Sequence, residues 1–222
     1  LLTNWHHLII IMFLVFLVVF PQLLYWKSIT SNWFFNSYVG EGFFFSKPHI
    51  LEFLFSYRSG WFVYTPIMLF SILGFFLLHR TQKSFFFGLS SLLLINVYVL
   101  SCWWCWWFGG SFGMRPMIDI YAFLAIPFAA SVLWVSKQRK MVICVFGISI
   151  VGLVYLNLFQ TAQRRHHVIH WDSMSKESYW GNFNKLYMKS EDDWKLFNNQ
   201  IQVPDYEKAK LGIDEYTFDP FK

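Results

Sequence analysis

The segment from Ser101 to Asp119 reads SCWWCWWFGGSFGMRPMID and directly follows a long apolar run. It brings together four tryptophans, a glycine-rich turn, one arginine and one aspartate. Tryptophan is enriched where membrane helices leave the hydrocarbon for the headgroup layer. Glycine permits tight turns and close approach of the backbone to a ligand. The segment therefore predicts the aromatic exit of a membrane helix, with a working surface at one interface.

The composition of the whole chain is that of a membrane protein. Of its 222 residues, 56% are hydrophobic, 23% are aromatic and only 14% are charged, whereas about a quarter of a soluble domain is charged. Residues 1–159 hold nine Lys and Arg against three acids, and residues 160–222 are nearly neutral. A nucleic-acid-binding protein is excluded, because no basic stripe lies on a soluble face. Three cysteines without framework spacing argue against a disulfide scaffold.

Five apolar runs are predicted to span the bilayer, which requires about 20 residues each. They lie near residues 8–26, 61–78, 85–108, 117–135 and 141–159. The short connections after the second and fourth runs carry five basic residues and no acid, so the positive-inside rule places both in the cytoplasm. Residues 27–60, residues 109–116 and the chain from Gln160 are then expected outside.

The predicted fold is an all-α integral membrane protein. Residues 1–159 form the transmembrane domain, and residues 160–222 form a small, mainly helical extracytoplasmic cap domain. The apolar stretch Ile50 to Phe55 is predicted to be a helix lying in the membrane interface.

Capping residues predict three helices in the cap domain. Asp172 or Ser175 is expected to cap a helix that runs through Tyr187, and Ser190 a second helix with Asp193 as its capping-box acid. A third helix is predicted from Pro204, as its first residue, to Gly212.

Arg115 and Asp119 are predicted to share one face of a helix start, because they are four residues apart. One interpretation is a neutralising pair that allows the helix to begin at the membrane edge. The other is an anion site for a lipid phosphate, with backbone N–H groups contributed by the glycine turn. The turn glycines assigned to this phosphate site are Gly109, Gly110 and Gly113.

Three further side chains are candidates for the same surface. Arg58 is either a snorkelling interfacial anchor or a second phosphate-binding cation. Glu41 lies between two glycines in an aromatic segment, and sugars are commonly held by carboxylates beside aromatic rings. Glu41, Trp107 and Asp119 are therefore candidate substrate-supporting residues, although an exposed loop glutamate is the commoner interpretation of Glu41.

Two other motifs have weaker functional interpretations. Cys102 and Cys105 form a CxxC pair of the kind used in thiol redox chemistry, but buried cysteine behaves mostly as a small apolar residue. His166 and His170 are four residues apart, so that on a helix they would lie on one face and could bind a metal ion. A basic segment beside lipid headgroups explains them better, and no metal or other cofactor is predicted.

Several stretches together resemble one family. They are PQLLYWK (21–27), SYRSGWFVYTP (56–66) and WWCWWFGGSFGMRPMIDIYAFLAIPFA (103–129), followed by IHWDSMSKESYW (169–180) and PDYEKAKLGI (204–213). They are similar to the later half of bacterial GT-C fold glycosyltransferases of the protein-mannosyltransferase-like group, and the last two to a Bacteroidetes-type branch.

The resemblance implies a polyprenyl-phosphate-linked sugar donor and transfer at the extracytoplasmic face of the cytoplasmic membrane. The acceptor would be a glycan, a lipid or a protein. It implies a catalytic aspartate in an outer loop that nothing in this chain matches, so the chain is expected to be the C-terminal half of a longer enzyme. A non-enzymatic membrane carrier or assembly subunit is the alternative, and a membrane thiol oxidoreductase is a third.

Overall fold

The computed structural model describes residues 5–36 and 38–213, and the described chain is helical with no β-strand. It divides into two compact units, residues 1–41 and 42–222. Residues 214–222 of the predicted cap domain lie outside the described residues.

The first unit is dominated by one apolar helix. Helix α1 (Trp5–Thr30) exposes its apolar side chains along its whole length. It extends beyond the predicted span at both ends, and Pro21 lies inside it. Such a uniformly apolar surface is typical of a helix surrounded by hydrocarbon.

The second unit contains nine α-helices among its described residues. They are α2 (Ile50–Phe55), α3 (Trp61–Tyr64), α4 (Leu69–Thr81), α5 (Lys83–Ser101), α6 (Tyr121–Val135), α7 (Lys140–Arg165), α8 (Lys176–Gly181), α9 (Glu191–Gln200) and α10 (Tyr206–Lys210). Two 3₁₀ helices, Pro66–Met68 and Arg115–Ile120, lead into α4 and α6. The predicted helix at Ile50 to Phe55 is confirmed, and its Phe53 is fully buried.

Four helical segments of the described chain are long and apolar enough to cross a membrane. They are α1, α5, α7 and the continuous segment Arg115–Val135. The predicted span 61–78 differs: α3 ends at Tyr64, and the apolar helix that follows, Pro66–Thr81, is shorter than 18 residues. Pro66 explains the break, because proline lacks an N–H and disfavours helical geometry in the preceding residue. Thr65 accordingly has φ −137° and ψ 59°.

The third predicted span is wrong at its end. The prediction runs to residue 108, but α5 ends at Ser101 and the residues after it form turns. The backbone of this part pairs with an earlier segment instead of continuing the helix. The Phe44 N–H donates to the Cys102 carbonyl at 2.7 Å, and the Trp104 N–H donates to the Gly42 carbonyl at 3.0 Å.

Two of the predicted helix starts in the C-terminal segment are confirmed. The hydroxyl of Ser175 accepts from the Ser178 N–H at the start of α8, and that of Ser190 accepts from the Asp193 N–H at the start of α9. Both bonds satisfy an N–H that the first turn of a helix leaves free. Helix α8 ends at Gly181, well short of the predicted end, and the cap of α10 is Asp205.

The polar C-terminal end of α7 holds the C-terminal segment (residues 166–213). The amide nitrogen of Gln160 donates to the Tyr179 hydroxyl at 2.7 Å. That of Gln163 lies 2.7 to 3.1 Å from three backbone carbonyls just after α8, those of Asn182, Phe183 and Lys185. Both glutamines are buried, so these bonds satisfy groups that water does not reach.

Candidate functional site

The candidate site is built on the aromatic loop, residues 102–114, which joins α5 to the 3₁₀ helix Arg115–Ile120. Its start is fixed by an isolated antiparallel bridge between Phe43 and Trp103. Both flanking helical segments are long and apolar enough to cross a membrane.

Trp106 and Trp107 form the centre of this loop, and both are fully buried. Their ring centres are 5.5 Å apart and the rings are nearly perpendicular, at 86°. The ring of Tyr206 from α10 lies 5.8 Å from Trp107. Edge-to-face contacts of this kind add to the stabilisation from burial. Trp107 is thus a packing residue under the C-terminal segment.

Arg58 enters this aromatic cluster from the connection between α2 and α3. Its side chain is buried, and its guanidinium carbon lies 4.9 Å from the ring centre of Trp107 and 6.0 Å from that of Trp106. One of its nitrogens, Nη2, donates to the carbonyl of Gln202 at 3.0 Å. A desolvated cation over a tryptophan face contributes about 2 kcal/mol. In this structure Arg58 connects the helical part to the C-terminal segment.

The three glycines of the turn have different surroundings. A β-carbon on Gly109 would lie 3.2 Å from Cβ of Asp172, so this position is packed against the C-terminal segment. Gly110 has φ +87° and open space around its α-carbon. Gly113 has φ +57°, and a β-carbon there would lie 2.9 Å from Cβ of Tyr64. Positive φ explains glycine at the last two positions. Gly109 and Gly110 are exposed, whereas Gly113 is buried.

Asp172 is the buried acid beside this turn. Nδ1 of His170 lies 2.9 Å from its Oδ1, the Ser173 hydroxyl donates to Oδ1, and the Tyr206 hydroxyl donates to Oδ2. Burial raises the pKa of the Asp172 carboxyl, but the bonds from His170, Ser173 and Tyr206 outweigh it and hold that pKa below its ordinary value. The carboxylate therefore stays charged and joins α10 to the start of the C-terminal segment.

Arg115 is exposed at the first position of the 3₁₀ helix. The predicted shared helical face with Asp119 is not formed. A 3₁₀ helix has three residues per turn, so positions four apart point in different directions. Asp119 is also exposed, and among the described residues Arg115 forms no ion pair with it or with any other acid. The neutralising-pair interpretation therefore has no support in this geometry.

Glu41 ends the first unit of the chain. Its backbone N–H donates to the Tyr38 carbonyl at 3.2 Å within that unit. Of the predicted site residues in the second unit, the structure brings together Arg58, Trp107 and Gly109. Arg115 is exposed at the end of the same loop.

The cysteines of the CxxC motif are free thiols. Burial is the main cause that raises the pKa of Cys105 to about 11, and it also raises the pKa of Cys102. A thiol with a raised pKa carries little thiolate at neutral pH. The environment of the pair therefore disfavours thiol redox chemistry.

Within the part of the chain that the structure describes, no group of three or more His, Cys, Asp or Glu side chains is arranged to hold a metal ion. His170 instead pairs with Asp172. Helix α7 ends at Arg165, so His166 and His170 do not share a helical face.

Sequence reasoning missed the role of Asp172, which it considered as a helix cap. A weak local signal was present, because the polar residues His170 and Ser173 lie close to Asp172 in the sequence. Tyr206 is 34 residues away, and no spacing rule connects it to Asp172.

Comparisons with protein-family models, with curated proteins and with solved structures found no match to this chain.

Proposed function

We propose that this chain is the C-terminal part of a membrane glycosyltransferase of the GT-C type. It would bind a polyprenyl-phosphate-linked sugar at the end of its membrane helices, beside the aromatic loop. Transfer would occur at the extracytoplasmic face of a bacterial cytoplasmic membrane, to a glycan, lipid or protein acceptor. The resemblance of residues 103–129 to that family supports this proposal.

The observation that carries the proposal is the position of Arg115. It is the first residue of the membrane-length segment Arg115–Val135, it is exposed, and it lacks an ion-pair partner among the described residues. An arginine at the end of a membrane helix would lie at the level of the lipid phosphates. Its planar guanidinium binds a phosphate group with two parallel hydrogen bonds.

The surroundings of Arg115 suit a phosphate attached to a long apolar chain. Gly110, in the loop that leads to Arg115, is exposed, and nothing lies within 4 Å of a β-carbon placed on it. Backbone N–H groups in such turns favour anions. On the C-terminal side of Arg115 in the same segment, Ile118 and Phe123 are at least half exposed. A polyprenyl chain would lie along these apolar side chains, with its phosphate at the arginine.

The chemistry would be an inverting transfer. An acceptor hydroxyl attacks the anomeric carbon, the bond between that carbon and the phosphate oxygen breaks, and its electron pair leaves with the phosphate. The hydroxyl proton passes to an acidic residue that the resemblance assigns to sequence other than these 222 residues. Arg115 stabilises the charge that grows on the departing phosphate, which is the effect that contributes most in many enzymes.

The orientation in the membrane rests on charge. The basic connections at residues 79–84 and 136–140 favour the cytoplasmic side. In the second unit, the aromatic loop contacts the C-terminal segment through Gly109 and Asp172. Both would therefore lie together on the extracytoplasmic side.

The test measures binding of a short-chain polyprenyl-phosphate sugar to the chain in lipid nanodiscs by native mass spectrometry. Arg115→Gln is compared with Arg80→Gln, which removes an exposed arginine from the opposite end of the helices. Loss of a charge-assisted hydrogen bond costs about 1.5–3 kcal/mol, so Arg115→Gln should weaken binding at least tenfold and Arg80→Gln should not. Equal binding by both variants, or no saturable binding by the parent chain, overturns the proposal.

A further inference from the structure

A pocket lies in the C-terminal segment, where α7 ends. Its volume is about 370 Å³, within the range of small-molecule sites. The polar side chains and tryptophans that line it are Arg164, His167, His170, Trp171, Trp194 and Asn198. None of them belongs to the proposed donor site at Arg115.

The lining of this pocket is basic. It contains one arginine and two histidines, and no acid is among the described residues that line it. Nε of Arg164 is buried and has no hydrogen-bond acceptor among the described residues. Leaving a buried donor without an acceptor is costly, so Arg164, whose side chain lines the pocket, carries a donor that no described residue satisfies.

His170 is held with one edge toward the pocket. Its Nδ1 lies 2.9 Å from Oδ1 of Asp172 and 3.4 Å from the backbone nitrogen of the same residue, so this edge of the ring is held against Asp172. Nε2 then remains for a ligand, and the side chain is 25% exposed. A carboxylate that orients a histidine in this way leaves the opposite ring nitrogen in a fixed direction.

Two indole rings complete the pocket. Trp171 and Trp194 are 41% and 38% exposed, although each belongs to a segment with a buried core. The ring of His170 stacks on that of Trp171, with centres 5.6 Å apart. Large flat apolar faces beside polar groups match a ring with C–H faces and hydroxyl edges, which is the chemistry of a hexose.

His167 occupies a backbone position that normally belongs to glycine. It has φ +60° directly after α7. The Val168 N–H donates to the Gln163 carbonyl at 2.9 Å and the His167 N–H to the Arg164 carbonyl at 3.2 Å. This is the Schellman arrangement, in which glycine is the usual residue. Histidine tolerates the left-handed region only at a cost in free energy, and here it directs a second imidazole into the pocket.

We propose that this pocket binds a phosphorylated hexose. Arg164 and the two imidazoles would hold the phosphate, and the indole of Trp194 would cover the sugar ring. The site is independent of the donor site, and it stands whether or not the chain transfers sugar. Because α7 is membrane-length, the ligand comes either from solution or from the headgroup of a phosphoglycolipid, and the chemistry is the same for both.

The test is a titration of the full chain in phosphatidylcholine nanodiscs, followed by tryptophan fluorescence. Glucose 6-phosphate, glucose and inorganic phosphate are the soluble probes. Glucose 6-phosphate should bind at least tenfold more tightly than either of the other two. In a second arm, nanodiscs containing phosphatidylglucoside, a phosphoglycolipid with a glucose headgroup, replace the soluble probe and report on a headgroup source.

Matched variants separate binding from folding. Arg164→Gln should weaken glucose 6-phosphate binding at least tenfold, whereas Arg165→Gln, which changes the adjacent exposed arginine, should leave it within twofold. His170→Asn keeps an amide hydrogen toward Asp172 but removes the Nε2 edge, and it should also weaken binding.

Saturable binding in either arm that is lost in Arg164→Gln and retained in Arg165→Gln supports the proposal, and the responding arm identifies the source. Absence of binding in both arms overturns it. Equal affinity for phosphate and glucose 6-phosphate overturns the assignment to a sugar. Equal binding by the two arginine variants shows that the ligand lies elsewhere and also overturns it.

Discussion

Gly74 of α4 lies directly against the backbone of Pro127 in α6, so that a β-carbon on Gly74 would fall 1.7 Å from the Pro127 carbonyl oxygen. The buried hydroxyl of Ser131 donates to the Phe70 carbonyl at 2.7 Å across the same pair of helices. Small residues allow membrane helices to approach this closely, and polar side chains bond across them. This contact fixes the spacing of α4 and α6, and α6 continues the 3₁₀ helix that follows the aromatic loop.

Gly74→Ala should destabilise the chain by about 3 kcal/mol, because the added methyl group forces two packed helices apart. Gly88→Ala is the matched control: this helical glycine has open space around its α-carbon, and alanine there should be neutral or stabilising by up to about 1 kcal/mol. Chemical unfolding in detergent measures both. Similar stability of the two variants would contradict the close packing of α4 and α6.

Gln163→Ala should loosen the chain that follows α8. The substitution removes the only side chain of α7 that bonds to the carbonyls of Asn182, Phe183 and Lys185 in the described structure. The Asn182 carbonyl keeps its bond from the Lys185 N–H, but leaving the Phe183 and Lys185 carbonyls without this donor costs about 1–3 kcal/mol. Hydrogen–deuterium exchange of peptides covering residues 176–190 should accelerate at least fivefold. Gln138→Ala, in the connection between α6 and α7, is the control and should leave the exchange of these peptides unchanged. Unchanged exchange in Gln163→Ala would contradict this role of Gln163.

Asp172→Asn should destabilise the C-terminal segment in a pH-dependent manner. The pKa of Asp172 is lowered in the folded chain from its ordinary value of 3.8. Its contribution to stability is therefore complete above about pH 4 and disappears as the pH falls through the folded pKa. The stability difference between parent and variant should be largest near neutral pH and should shrink below pH 4.

Thermal unfolding at a series of pH values measures this difference. Asp192→Asn serves as the control, because the Asp192 side chain is 91% exposed and surface changes of this kind stay within about 0.5 kcal/mol. A difference between parent and Asp172→Asn that stays constant from pH 7 to pH 3 would show that the carboxylate charge is not responsible.

His167→Gly should stabilise the chain by about 1 kcal/mol, because it relieves a left-handed residue with a β-carbon. The neighbouring His166 has φ −94°, so His166→Gly has no strain to relieve and should lower stability by about 0.5–1 kcal/mol. Both variants remove one exposed imidazole. Their unfolding temperatures should therefore shift in opposite directions, and a shift in the same direction would contradict the assigned strain.

The membrane-length helices were predictable because hydrophobic length is a local property of the sequence. The caps Ser175 and Ser190 were predictable for the same reason, since each bonds to an N–H three residues later. The end of α5 was not predictable. The tryptophans after Ser101 extend the apolar run, but the backbone there pairs with residues 42–44, and tertiary pairing overrides local preference.

The candidate site was predictable only in part. The glycine turn and Arg115 could be found because glycine and an arginine at a membrane edge are local signals. The burial of Arg58 depends on Gln202, which is 144 residues away. The pocket beside His170 depends on α9 folding back over the end of α7. Contacts of this range leave no periodicity in the sequence, so only the folded chain reveals them.

In the proposed donor site, the phosphate of a lipid-linked sugar lies at Gly110 and Arg115. The most direct measurement is photo-crosslinking with a polyprenyl-phosphate sugar that carries a diazirine on the first isoprene unit, in nanodiscs, mapped by peptide mass spectrometry. Adducts are expected within residues 109–123. Unlabelled donor should compete them away, and Arg115→Gln should reduce them at least tenfold. Adducts spread evenly along the exposed faces of α1 and α7, unaffected by competition or by Arg115→Gln, would contradict the proposed donor site.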